Sequence, residues 1–265
     1  MEGSIIDIHT HAFPDALARR AMRKLLDETP DVRAYLDGTL AALLRSMDAC
    51  GIQKSVVSCI ATHPGQFESI LHWCEESQSE RLLFLPSVHP QDPRLIEQVD
   101  RIKAAGFKGI KLHPFYQDFY ADQESMQVLY EKLQRECLLL LMHTGYDVAF
   151  ERIRRADPQM LVRISERYPE LRLITSHFGA WEQWDEVEQY MIGRPIYMDI
   201  SFAMEYMEPG QARRMILNHP EGYVLFGSDS PWTDQGETLS QIRKLDLPRA
   251  RLDQILAENA EKLLH

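Results

Sequence analysis

Eight short apolar runs, each followed by a helical stretch, constrain this chain more than any other feature. The runs fall at 5–11, 54–60, 81–88, 107–113, 138–143, 171–177, 196–200 and 223–229. Several are almost continuously apolar, such as Leu82-Leu83-Phe84-Leu85, as expected of parallel strands buried on both faces. Between them, helices are predicted over 15–28, 39–49, 65–79, 93–105, 123–136, 148–168, 181–191 and 209–218, with two more near 237–244 and 251–264. Strands alternating with helices imply βαβ units, and eight of them predict an α/β fold of the (β/α)8 TIM-barrel type. An open doubly wound sheet is the alternative, but no Gly-x-Gly-x-x-Gly follows any strand. The 265 residues show no composition break, so one domain spanning 1–265 is expected.

The connection after the first strand is long and predicted to wall a pocket. The formal net charge of −11 argues against a nucleic-acid or anionic-membrane partner. A small anionic substrate, such as a carboxylate, stays allowed, because a metal and a few cations reverse the field locally. A homodimer is left open. Cys50, Cys59, Cys74 and Cys137 form no Cys-x-x-Cys pair and read as reduced core or near-core residues. With no apolar run of membrane-spanning length and no leader before the first strand, a cytoplasmic protein is expected.

Chemistry-bearing residues sit at the carboxyl ends of the predicted strands. In Asp7-Ile8-His9-Thr10-His11, the two histidines share one strand face. Lys111 and His113 end the fourth strand, His143 the fifth, His177 the sixth and Asp229 the eighth. In a barrel these ends meet on one rim, where active sites lie. Single strand-terminal histidines are often structural, but several on one rim are not expected by chance. Tyr116, Tyr146, Asp147, Trp181 and Trp232 follow strand ends and read equally as substrate contacts or rim packing. Asp199, ending the seventh strand, is placed to orient a ligand. His63 and His89 read as loop residues; His72, His219 and His265 read as surface positions.

Asp-Ile-His-Thr-His, Gly-Ile-Lys-Leu-His-Pro, Ser-His-Phe-Gly and Gly-Ser-Asp-Ser-Pro-Trp together resemble the amidohydrolase superfamily, in its amidohydrolase-related branch of TIM-barrel metal-dependent hydrolases and decarboxylases. The resemblance covers nearly the whole chain. It implies one divalent metal, zinc first among candidates, on His9, His11, His143 and Asp229, with a second metal allowed. Three nitrogens and an oxygen plus water suit catalytic zinc. Asp229 and His177 would be the catalytic pair, Asp229 accepting a proton from water made acidic by the metal. His177 would alternatively bind a second metal. Some superfamily members carry a carboxylated lysine at the position of Lys111. The reading preferred here is an ammonium that a carboxylate holds or that binds a substrate carboxylate. With Lys111, substrate contacts would come from His113, Tyr116, Tyr146 and Trp232. The expected reaction is hydrolysis of an amide, lactone or ester-like bond; non-oxidative decarboxylation is the alternative, and a metal-binding module without turnover the third reading.

Overall fold

Local sequence chemistry places most helix boundaries. The helix Asp15–Glu28 coincides with its expected bounds. In Leu40–Cys50, Thr39 caps the first turn by accepting from the Ala42 amide at 3.1 Å. Pro158–Arg167 starts where Asp157 accepts from the Met160 amide at 2.9 Å and proline takes the first helical position. That start corrects the helix expected from 148. Residues 148–157 are irregular, and the Asp157-Pro158 pair was the signal for the true boundary.

The computed structural model describes residues 3–264, so His265 lies outside the described residues. Among these, eight strands alternate with helices: β1 Ile6–Thr10, β2 Lys54–Ser58, β3 Leu82–Leu85, β4 Gly109–Leu112, β5 Leu139–Met142, β6 Arg172–Thr175, β7 Tyr197–Asp199 and β8 Val224–Leu225. The chain divides into two compact units.

The first unit holds residues up to 57, 79–83 and from 199 on. Here β1 runs parallel to β2, with Ile6 opposite Lys54 and Thr10 opposite Val57. On its other side β1 meets the end of β8: the Ile8 amide donates to Phe226 O at 2.9 Å and the Asp229 amide to His9 O at 2.8 Å. The Ile200 amide donates to Leu225 O, joining the end of β7 to β8. The connection after β1 is pinned where the Tyr35 amide donates to Pro231 O at 2.8 Å.

The second unit holds 58–78 and 84–198. Its strands β4, β5 and β6 are parallel and in register, Leu112 opposite Met142 and Met142 opposite Thr175, and β6 continues to β7 through Thr175 opposite Met198. Strand β5 is buried at every residue. Gly145 carries the turn after it at φ +88°, and a Cβ there would lie 2.0 Å from the Trp181 amide nitrogen. The two segments pair as an isolated parallel bridge.

Cys59 and Cys74 are buried with their sulfurs 3.5 Å apart. Cys137, expected at or near the core, is exposed: it ends the turn after helix Gln127–Arg135 at φ +54°. His219, expected on the surface, is buried against Tyr223, and Arg251 donates to its carbonyl at 2.8 Å. His72 is exposed and pairs with Glu76, as expected. No helix among the described residues is long and apolar enough to cross a membrane.

Candidate metal centre and flanking histidine cluster

In the first unit, β1 turns His9 and His11 to the same side, and the pairing of β1 with the segment after β8 puts Asp229 beside them. His9 Nε2 lies 3.2 Å from His11 Nε2 and 3.4 Å from Asp229 Oδ1; His11 Nε2 lies 3.2 Å from the same oxygen. His9 and Asp229 are buried and His11 half-buried. Asp199 Oδ2 lies 2.9 Å from His9 Nδ1. A carboxylate there fixes the ring proton on Nδ1, which leaves the Nε2 lone pair facing His11 and Asp229. Ser201 Oγ donates to Asp199 Oδ1 at 2.5 Å and sits 3.0 Å from His9 Nδ1. Gly227 allows this closeness, since a Cβ there would be 3.1 Å from His9 Cβ and 3.2 Å from Asp199 Cβ. Ser201 was missed in the sequence, where only its place two residues beyond Asp199 pointed to it.

Asp7 anchors the same strand end from behind. It accepts from the Ser228 amide and hydroxyl at 2.9 and 2.5 Å and from Gln235 at 2.8 Å. Burial pushes its carboxyl up to about 6 even against these hydrogen bonds. The segment it holds leads into Asp229, whose backbone is left-handed at φ +67°. Trp232, half-buried, closes the turn by donating its amide to Asp229 O at 2.9 Å.

In the second unit the strand register does similar work. Leu112 opposite Met142 puts the next residues, His113 and His143, side by side. Their rings stack at 4.1 Å between centroids, 16° from parallel. His113 Nε2 lies 3.3 Å and His143 Nε2 3.5 Å from Asp147 Oδ2. His143 Nε2 is also 2.9 Å from the Tyr146 carbonyl oxygen. Its Nδ1 lies 3.0 Å from His177 Nε2. Burial holds the His143 imidazole well below the usual histidine range, and positive charge on His113 or His177 would push it further down. His177 and Phe178 are both left-handed at φ +59°. Lys111 is buried on β4. Tyr116 meets the His113 ring edge-on at 4.8 Å, and Phe150 packs against both Phe115 and Tyr116. The Tyr146 ring is covered by Arg152, and Trp181 meets His177 edge-on. Phe115 and Phe150 were not foreseen; the helix expected over 148–168 hid the loop that carries Phe150.

The structure thus brings His9, His11 and Asp229 together in one unit, and His113, His143, Asp147 and His177 in the other. Each of the triads His9–His11–Asp229 and His113–His143–Asp147 offers donor atoms within 4.8 Å of one another. Replacing Asp199 by alanine should weaken divalent-metal affinity ~10–100-fold, the usual cost of losing a partner that orients a ligating histidine. Competitive titration against a chromogenic chelator reads this, and unchanged affinity would remove Asp199 from the centre.

No curated protein matches the chain. Among solved structures, a TIM-barrel protein of Bordetella bronchiseptica superposes with a TM-score of 0.78 at 17% identity, covering 98% of each chain. A dihydroxybenzoic acid decarboxylase from Polaromonas sp. JS666, with bound manganese and the inhibitor 2-nitroresorcinol, superposes at 0.74 with 15% identity over 99% of this chain and 97% of its own. A candidate 2-pyrone-4,6-dicarboxylic acid hydrolase from Pseudomonas putida gives 0.69 at 17% identity over 100% and 98%. At these identities the likeness establishes the α/β TIM-barrel fold. Residues 6–265 match the family described as amidohydrolase, and the chain belongs to that enzyme family.

Proposed function

We propose that the chain is a divalent-metal hydrolase that opens an amide, lactone or ester-like bond in a small, carboxylate-bearing substrate. The observation that carries this reading is the convergence of His9 Nε2, His11 Nε2 and Asp229 Oδ1. With its ring proton on Nδ1, His9 presents a lone pair to a carboxylate oxygen, so a proton or a cation is needed between them. Two imidazoles and a carboxylate suit zinc, our proposed ion, bound once per chain at this group. The manganese in the Polaromonas decarboxylase makes manganese the first competitor. His143 as a fourth ligand is carried by the family resemblance alone.

A bound divalent ion would polarise a substrate oxygen and make water acidic near neutrality. Asp229 then takes the proton of the attacking water at its carboxylate and returns it to the leaving group. His177 is the proposed second acid–base group. Lys111, His113, Tyr116, Tyr146 and Trp232 are the proposed substrate contacts, Lys111 as an ammonium that receives the substrate carboxylate.

Decarboxylation is the second reading, favoured by the several decarboxylases among the structural neighbours. Asp229 would there deliver its proton to the carbon that loses carbon dioxide. A panel of lactones, esters, amides and aromatic or unsaturated carboxylates, analysed by product mass, separates the two. Addition of water supports hydrolysis; release of carbon dioxide with no hydrolysis moves the assignment to the lyase. On any true substrate, His177→Asn should keep its metal and lose ~10²–10⁴-fold in rate, the range for a positioned acid–base group. An unchanged rate removes His177 from the chemistry.

A further inference from the structure

The chain leaves β2, β3 and β4 with buried backbone groups beyond the last strand residue, and these need partners. Gln117, four residues beyond His113, meets several of them at once. It is buried, only 1% exposed. Its Oε1 accepts from the His113 amide at 2.8 Å. Its Nε2 donates to Val88 O at 2.9 Å and Ala61 O at 3.0 Å, with Ser87 Oγ at 3.3 Å. An N–H facing the oxygen and two carbonyls facing the nitrogen fix the orientation of the amide. Ser87 Oγ in turn donates to Lys111 O at 2.8 Å, and the Gln117 backbone amide donates to His113 O at 3.0 Å. Ala61, Ser87, Val88, Lys111, His113 and Gln117 all belong to the second unit.

We propose that Gln117, acting with Ser87, is a positioning residue: the pair holds the main chain at Lys111 and His113 so that both side chains meet the substrate carboxylate together. This rests on the reading of Lys111 and His113 as substrate contacts. The two residues are buried, lie two apart at the end of β4 and share a face. One edge of β4 is held by its register with β5. On the other, the Lys111 amide donates to Pro86 O at 2.9 Å, Ser87 takes the Lys111 carbonyl, and Gln117 takes the His113 amide. One side chain thus bears on both ends of the segment from Lys111 to His113. A buried network whose groups are all paired favours a single arrangement. Methionine at 117 would fill a similar volume but offer neither the acceptor nor the donors, and the main chain would shift to find others. A carboxylate needs its cation within hydrogen-bond reach, so it feels such a shift; a neutral ligand of the same shape feels it far less.

The probes are benzoate and benzamide, an anionic and a neutral ligand of similar shape, titrated by calorimetry into the zinc-loaded full chain. Gln117→Met should bind benzoate ~10-fold or more weakly than wild type, within what a misplacement of about 1 Å costs. Its benzamide affinity and zinc stoichiometry should be unchanged. Circular dichroism and melting check the fold. If Gln117→Met does not fold, Ser87→Ala, which removes the hydroxyl between Gln117 and Lys111 O, should show the same benzoate-specific loss. Loss of both probes together, or of zinc, marks a merely structural role and overturns the inference. Lys111→Met separates this inference from the reading beneath it. If Lys111→Met loses benzoate while Gln117→Met and Ser87→Ala keep wild-type affinity, Lys111 stands as a substrate contact and the positioning role fails. Failure of benzoate to bind wild type, or wild-type affinity in Lys111→Met, overturns the reading of Lys111 and this inference with it.

Discussion

The His9→Ala/His11→Ala protein is expected to lose one equivalent of divalent metal per chain, and with it turnover of any substrate. Of the clustered donors His9, His11 and Asp229, the variant keeps only Asp229. One carboxylate, even with His143 as the proposed fourth ligand, does not hold a borderline ion against water and buffer. The loss of affinity should therefore exceed the ~10–100-fold expected for Asp199→Ala, which leaves every donor in place and only frees a ring to rotate. The ordering matters more than either value. If the double variant were no worse than Asp199→Ala, His9 and His11 would not be ligands. Elemental analysis of protein purified without chelator, set beside a melting curve, keeps metal loss separate from unfolding.

Gly145→Ala is expected to destabilise the fold by more than about 3 kcal/mol, in the range reserved for named structural faults. Two penalties combine at this position. The backbone sits at φ +88°, and an added Cβ would meet Trp181 N at 2.0 Å, Trp181 O at 2.5 Å and Ala180 C at 2.6 Å. These atoms are main chain and cannot rotate away. They also belong to the pairing in which the Trp181 amide donates to Thr144 O and the Tyr146 amide to Trp181 O, at 2.9 and 3.1 Å. Gly193 supplies the control. Its φ is also +88°, but a Cβ there meets nothing within 4 Å. Gly193→Ala should cost only the backbone term, about 1–2 kcal/mol. Urea unfolding of both variants measures the difference; equal midpoints would show that the Gly145–Trp181 contact yields without cost.

Strand and helix order was legible because β-branched and apolar runs of five to eight residues alternate with amphipathic stretches. The grouping of His9 and His11 was legible because strand side chains alternate, and Asp199 was legible as a residue placed to orient a ligand because it ends a strand, though its partner His9 was not. Three further things were not legible. The region from 148 carries Val148, Phe150 and Ile153 at spacings that pass for a helix face, yet these residues stay partly exposed in a loop, and the helix waits for the Asp157 cap. The stack of His113 on His143 depends on the register of β4 against β5, which sequence spacing does not encode. His219 caps the end of the helix Pro209–Asn218 and takes its burial from Tyr223 and from the helical residue Arg251, thirty-two positions on.

Left-handed backbone at His177, Phe178 and Asp229 has a consequence for how this chain tolerates change. Histidine and aspartate enter that region more readily than most residues, but a buried phenylalanine immediately after a left-handed histidine is a poor choice for folding alone. Each such residue costs of order 1–3 kcal/mol relative to a residue at ease there. A library selected only for thermal stability should therefore drift towards glycine or asparagine at 177 and 178, while one selected for turnover should hold histidine at 177. Divergence of the two populations at these positions, with agreement in the preceding strand β6, would mark the turn as a place where the fold concedes stability to chemistry.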